Sequence, residues 1–349
     1  METRTMESMG LSEMSQLTDV QVGSQPEAGQ PFFTIFVPTY NRAHTLPRLL
    51  DSIASQSFSD LELLIVDDGS TDETQSLLQH YQKCVPINMR LYYQPNQGPH
   101  VAFNKALGEA KGFLFIFIGS DDFFAPNALE RFHYWWNFGI EHVSENIRGV
   151  EALCADMHTQ KILGTLFPKS PMVSDHVEIY YKYKCWGDAI RAVRTDIMAR
   201  YRFIEIPGER FVPASYLLNQ LGFERHQLLY VNEVLAYVEY RADGTTRNLT
   251  RARVQSSQGV SLYYHRFLRE AVRDGRVPPS SLMRAAANWV RFSLHSNSSF
   301  LSTFTNTWKE IPNRAHWLPA AILGTLLWFR DRRHLTQMDK EWKSKRVSS

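Results

Sequence analysis

The feature that most restricts this chain is a set of four short apolar runs, FFTIFV (32–37), LELLIV (61–66), MRLYY (89–93) and FLFIFI (113–118), separated by stretches of helical spacing. A strand with one wet face alternates apolar and polar residues. These runs are apolar almost throughout, so both of their faces must be covered. Between them, LPRLLDSIASQ (46–56) and VAFNKALGEA (101–110) repeat apolar residues at three- and four-residue spacing. After the second run, Ser70 and Glu73 in DDGSTDE have the S-x-x-E spacing of a capping box and predict a further helix start. Alternating strands and helices, with strands buried on both sides, specify an α/β fold: a mostly parallel sheet covered by helices on both faces.

In such a sheet ligands bind beyond the carboxyl ends of the strands. The polar clusters fall there: Pro38-Thr39-Tyr40-Asn41-Arg42 after the first run, Asp67-Asp68 after the second, and Gly119-Ser120-Asp121-Asp122 after the fourth. Adjacent carboxylates at the mouth of a core strand repel and cost stability unless a cation or a donor-rich ligand meets them. Asp121 and Asp122 therefore predict a site on a binding rim for a cation or a donor-rich ligand.

Beyond residue 150 the pattern loosens. AIRAVRTDIMARYRF (189–203) reads as a strand turning into a short helix. GERFVPASYLLNQLG (208–222) reads as a loop and helix ending at Gly222, and LLYVNEVLAYVEY (228–240) as a hairpin or edge strands. From about 256 the spacing is helical, and no internal repeat is present. The expected division is a disordered polar lead-in over 1–30, one α/β domain over 31–250 with halves meeting near 140, and a helical region over 251–349.

A net charge of +2 in 349 residues gives no basic face for nucleic acid. Cys84, Cys154 and Cys185 have no paired spacing; they predict buried thiols in a reducing, cytoplasmic setting and no zinc site. The longest late apolar stretch, WLPAAILGTLLWF (317–329), has 13 residues, short of the roughly 18–20 needed to span a bilayer. Residues 330–349 carry seven Lys/Arg against three acids. An apolar segment beside such a cluster suits peripheral contact with the anionic inner face of a membrane, or equally a helix packed on the domain with a solvated basic tip.

Three ordered motifs, TIFVPTYNRAHTLPRLLDSIASQSFSDLELLIVDDGSTDET, QPNQGPHVAFNKAL and FIGSDDFFAPNALE, resemble the nucleotide-sugar half of family-2 glycosyltransferases of the GT-A fold, over about residues 32–135. The resemblance implies an inverting, Mn²⁺- or Mg²⁺-dependent transferase using a nucleotide sugar, with uridine as the expected base, and a glycan or lipid-linked oligosaccharide as acceptor. By the same resemblance Asp68 contacts the base, which Pro38, Thr39, Tyr40, Arg42 and Asp67 help to line. Asn96, Gly98 and Asn104 lie on the sugar and diphosphate side. Asp122 is the metal ligand, and Asp121 contacts ribose or shares the ion. Gly119 stands where the family usually has the first acid of an Asp-x-Asp triplet. Glu209 in PGERF is the candidate base; Asp188 in WGDA is the other catalytic candidate, expected to contact the acceptor sugar rather than to act as base. A nucleotide-sugar-binding protein without turnover fits the same motifs. A nucleotidyltransferase would want a glycine-rich loop after the first strand, where this chain has PTYNRAHT.

Overall fold

The structure is a computed structural model that describes residues 25–241, 244, 247–296 and 317–347, apart from the side chains of Trp317 and 337–347. The expected lead-in lies almost wholly outside the described residues, as do the side chains of Lys340, Lys343, Lys345 and Arg346.

β1 (Phe33–Thr39), β2 (Leu61–Asp67), β3 (Asn88–Tyr93) and β4 (Leu114–Phe117) form a parallel set in the order β3-β2-β1-β4. The apolar runs divide their side chains by parity. Phe33, Ile35 and Val37 join Leu63, Ile65, Leu114 and Ile116 in one core with Leu46, Leu49, Leu50 and Ile53 of α1 (Leu46–Ala54). Phe36, Leu64, Val66 and Phe115 face the other way, onto Ala102, Phe103 and Ala106 of α3 (Pro99–Glu109). α2 (Thr74–Cys84) packs Leu78 into the first core.

The expected capping box is not formed. Ser70 is held by Asp67, whose Oδ1 accepts both its hydroxyl, at 2.6 Å, and its N–H, at 3.0 Å. The first N–H of α2, on Thr74, goes instead to Asp72 Oδ1 at 3.0 Å. Cys154 and Cys185 are buried as expected, whereas Cys84, at the exposed end of α2, is not.

The second half of the sheet is mixed. β8 (Ala189–Arg194) lies antiparallel beside β4 and is followed by β6 (Ile147–Asp156), β9 (Gln227–Val238) and the two-residue β5 (Phe123–Phe124), with β7 (Met172–Ser174) also on β9. β9 corrects the reading of 228–240: it is one 12-residue strand, parallel to β6 and antiparallel to β5 and β7. The polar pair Asn232-Glu233 stays in the strand because both side chains find partners. The Asn232 amide exchanges hydrogen bonds with the Phe167 backbone, and Glu233 takes Arg131 and Trp135 of α4 (Ala128–His142).

α5 (Thr195–Met198) follows β8, and α6 (Ser215–Phe223) precedes β9. After β9 come α7 (Leu249–Gln255), α8 (Ser257–Asp274), α9 (Pro279–His295) and α10 (Trp317–Val347), the last three sharing a core of Leu268, Ala271, Ala286, Val290, Ala320 and Ala321. Among the described residues no helix is long and apolar enough to cross a membrane.

Candidate active site

Because β1, β2 and β4 are parallel, the loops that follow them open on one rim, and side chains tie those loops together. The Asn41 N–H donates to Ser70 Oγ at 2.8 Å, and Asn41 Oδ1 accepts from the Thr71 N–H at 2.8 Å. The Asp68 N–H donates to the Thr39 carbonyl at 2.8 Å. Thr45 Oγ1 reaches across to the Ser120 carbonyl at 2.9 Å.

Asp68 is buried. Its carboxylate accepts from Gln94 Nε2 and from the N–H groups of Gln97 and Gly98, each at 2.8 Å, which draws the 94–98 loop onto the rim. Gly98 adopts φ +96°, and a Cβ there would come within 2.3 Å of the Arg210 carbonyl, so only glycine allows that approach. Asn96 also crosses closely over Gly69, where a Cβ would meet its nitrogen at 2.9 Å. Pro38 is half-buried, Thr39 and Asp67 are buried, and Tyr40 is exposed at the lip. Thr39 Oγ1 and Asp67 Oδ2 have no hydrogen-bond partner among the described residues, so polar capacity faces inward here.

Asp121 and Asp122 lie at the centre of the rim. Arg42 Nε stands 4.0 Å from the Asp121 carboxylate. Arg48, on α1, donates to the Asp121 carbonyl, pairs with Glu239 at 2.8 Å and lies over the Phe123 ring. The β5–β9 pairing brings Glu239 alongside, and its N–H donates to Asp122 Oδ1 at 3.3 Å. Burial first, then the neighbouring Asp121 charge, push the Asp122 carboxyl up to about 8. A Cβ at Gly119 would lie 2.8 Å from Asp122 Oδ2 and 3.1 Å from Asp121 Oδ1, so glycine leaves the two carboxylates their room.

Among the described residues no three His, Cys, Asp or Glu side chains gather as a ready metal cage. Two hard oxygen donors, one of them short of counter-charge, fit Mg²⁺ or Mn²⁺ that takes its remaining ligands from a diphosphate and water.

The two acceptor-side acids are placed differently. Asp188 is exposed and accepts the Tyr240 hydroxyl; Tyr240 follows Glu239 directly, so consecutive residues join Asp188 to Asp122. The Asp188 charge is among the influences that raise Asp122. Glu209 sits on the first turn of α8, where its two oxygens accept the N–H groups of Gln258 and Gly259, each at 2.7 Å. Asn104 is likewise committed: its amide accepts from the Phe203 N–H and donates to the Phe203 carbonyl and to Glu205.

Arg48, His100, Glu239 and Tyr240 had no local sequence signal. His100 is buried beside Asp68 and Glu205, neither of its ring nitrogens has a hydrogen-bond partner among the described residues, and it is held below its ordinary pKa by burial.

Known proteins share part of this sequence and its fold. Residues 34–151 match the family model "Glycosyl transferase family 2". An uncharacterized glycosyltransferase from Nostoc sp. is 36% identical over 98 residues, covering 28% of this chain and 30% of its own length. The GalNAc(5)-diNAcBac-PP-undecaprenol beta-1,3-glucosyltransferase of Campylobacter jejuni is 36% identical over 117 residues, covering 33% and 38%. The matched stretch thus spans about a third of these relatives' length. Among solved structures, S. aureus TarS 1–349 in complex with UDP-GlcNAc superposes with a TM-score of 0.53 at 16% identity, over 83% of this chain and 89% of that one. The fold is of the GT-A type.

Proposed function

We propose, from the premise that residues 34–151 are a glycosyl transferase family 2 segment, that this chain is an inverting, metal-dependent glycosyltransferase. It moves a sugar from a UDP-sugar to a hydroxyl of a glycan or lipid-linked oligosaccharide. The observation that carries the reading is the convergence of Asp68, Asp121, Asp122 and Asp188 on one rim, with Asp188 joined to Asp122 through Glu239-Tyr240. The UDP-GlcNAc complex of TarS and the undecaprenol-linked substrate in the Campylobacter relative's name support the donor and acceptor classes.

Asp122, with Asp121 beside it, would hold Mn²⁺ or Mg²⁺. When bound, the ion neutralises charge on the departing diphosphate. Pro38, Thr39, Tyr40, Arg42, Asp67 and Asp68 form the base and ribose side, and Asn96 with Gly98 the turn toward the diphosphate. Asn104 holds the 203–205 segment and Glu209 straps the 209–210 loop to α8. That leaves Asp188 as the carboxylate for the acceptor: it takes the hydroxyl proton as oxygen attacks the anomeric carbon, and the electron pair of the broken bond leaves on UDP. A direct displacement of this kind inverts the anomeric centre.

Calorimetry with UDP and Mn²⁺, alongside donor hydrolysis and transfer assays, tests the assignment. Asp122→Asn should abolish the mutual enhancement of UDP and Mn²⁺ binding. Asp188→Asn should cut transfer by about 10²–10⁴ while UDP still binds. Metal-dependent UDP binding with neither hydrolysis nor transfer from any UDP-sugar would instead favour the non-catalytic binder.

The same reading puts the chain on an anionic membrane surface. Leu318, Ile322, Leu326 and Phe329 of α10 are exposed, and Arg330, Arg332 and Arg333 follow them.

A further inference from the structure

We propose that Trp186, with Tyr180 beside it, is the platform on which a pyranose ring of the acceptor stacks, an inference that rests on the transferase reading above. Trp186 is 53% exposed and Tyr180 42%, yet neither is loose. The Trp186 N–H donates to Thr165 Oγ1 at 3.0 Å, its carbonyl accepts the Thr165 N–H at 2.9 Å, and its indole N–H donates to the Tyr180 carbonyl at 3.1 Å. The rings of Tyr180 and Trp186 lie 6.1 Å apart.

The backbone next to Trp186 meets a second segment glycine to glycine, Gly187 against Gly164, in an isolated antiparallel bridge. Both have positive φ, and a Cβ on either would come within 2.0 Å of the opposite backbone. The Asp188 N–H is fixed to the Leu163 carbonyl at 3.0 Å. Main chain and indole nitrogen are therefore satisfied by the protein, while more than half of Trp186 stays exposed for contact through its ring.

That ring fits a sugar better than a hydrogen-bonding ligand. The indole donor is already used, so only apolar contact is available, and the C–H face of a pyranose supplies it. The sugar's hydroxyls need polar partners at the platform's edge. Asp188 lies two residues on, with Tyr240 on its carboxylate and Glu239 next in line to Asp122. A ring stacked on Trp186 would thus direct a hydroxyl toward the carboxylate assigned as base. Trp186 acts as a positioning residue, so its removal weakens acceptor binding and leaves the donor site intact.

Saturation-transfer NMR on the full chain with UDP and Mn²⁺ tests this against galactose, N-acetylglucosamine, N-acetylgalactosamine and lactose. At least one sugar should show ring-proton contact with the wild type. Trp186→Ala should weaken that binding about tenfold, the scale of one lost stacking contact, and Trp186→Phe should restore most of it. Calorimetric UDP affinity within about twofold in both variants shows that the fold survives. The proposal is overturned if no sugar contacts the wild type, or if the contact persists in Trp186→Ala. UDP affinity of the wild type judges the donor reading separately: if UDP does not bind, that reading fails, while the sugar signal still decides the platform.

Discussion

Glu62 has no exposed surface although it is a charged residue within the apolar strand β2, and its surroundings explain why it is tolerated. Thr34 Oγ1 donates to it at 2.7 Å, the Lys111 N–H at 2.6 Å and Arg90 at 3.1 Å, so every oxygen of the buried charge is met. Removing one side of such a pair costs roughly 3–5 kcal/mol. Glu62→Ala should lower unfolding stability by about that amount in urea titration, and unchanged stability would show that the pair contributes little. At Gly119 the consequence is local. A methyl group there must displace the Asp122 carboxylate, so Gly119→Ala should weaken the Mn²⁺-dependent gain in UDP affinity while shifting the melting temperature only slightly. The acids of the rim were legible in the sequence because each is a chain neighbour of the strand end that presents it. The hydrogen bonds of Glu209 and Asn104 were not, since their partners lie at 258–259 and 203–205 and only the folded chain brings them together.

Single elements show the same limit. The strands β1, β2 and β4 could be read from their composition, whereas β9 hid a polar pair that needs α4 and Phe167 to be satisfied. The two-residue β5 has almost no sequence signature, yet its pairing with β9 carries Glu239 to Asp122. α10 reverses the usual amphipathic logic. Its small residues Ala320, Ala321 and Gly324 face α9, where a Cβ on Gly324 would meet the Ala287 carbonyl at 2.4 Å. Its large ones, Leu318, Ile322, Leu326 and Phe329, face outward along about 16 Å of helix, with Arg333 one turn beyond. Because the small side packs so closely, the helix cannot roll to hide the large one. Co-sedimentation with vesicles should therefore show binding to phosphatidylglycerol-containing bilayers and little to pure phosphatidylcholine. Replacing Arg330 and Arg333 by Gln should reduce binding about thirtyfold, near 1 kcal/mol per charge. Ile322→Ser with Leu326→Ser should reduce it at least as much. Equal binding to neutral vesicles, or self-association through this face, would refute the membrane assignment.

At the scale of the whole molecule, a buried polar cluster adds to the close packing that holds α10 on the helical region. Asp331 is 1% exposed; Arg291 donates to both of its oxygens, at 2.5 and 2.8 Å, and His295 lies 3.2 Å from it. Burial raises the Asp331 pKa, but hydrogen bonds from His295 and Arg291 and their charges outweigh it, so the carboxyl lies below its ordinary value. A depressed carboxylate contributes stability that is complete above the unfolded pKa, about 3.9, and is lost as pH falls through the lower folded value. The wild-type chain should accordingly keep α10 docked at neutral pH and release it only below about pH 4. Asp331→Asn leaves the Arg291 guanidinium, itself 6% exposed, without its counter-charge, at a cost of roughly 3–5 kcal/mol. In hydrogen exchange read by mass spectrometry, peptides of α9 and α10 should lose protection in Asp331→Asn already at pH 7, while β1, β2 and β4 keep theirs. The parallel sheet draws on two separate cores and none of this cluster, so the uncoupling follows from how the apolar surface is partitioned. Equal protection of α10 in variant and wild type would mean that Ala320, Ala321 and Gly324 hold the helix by close packing alone.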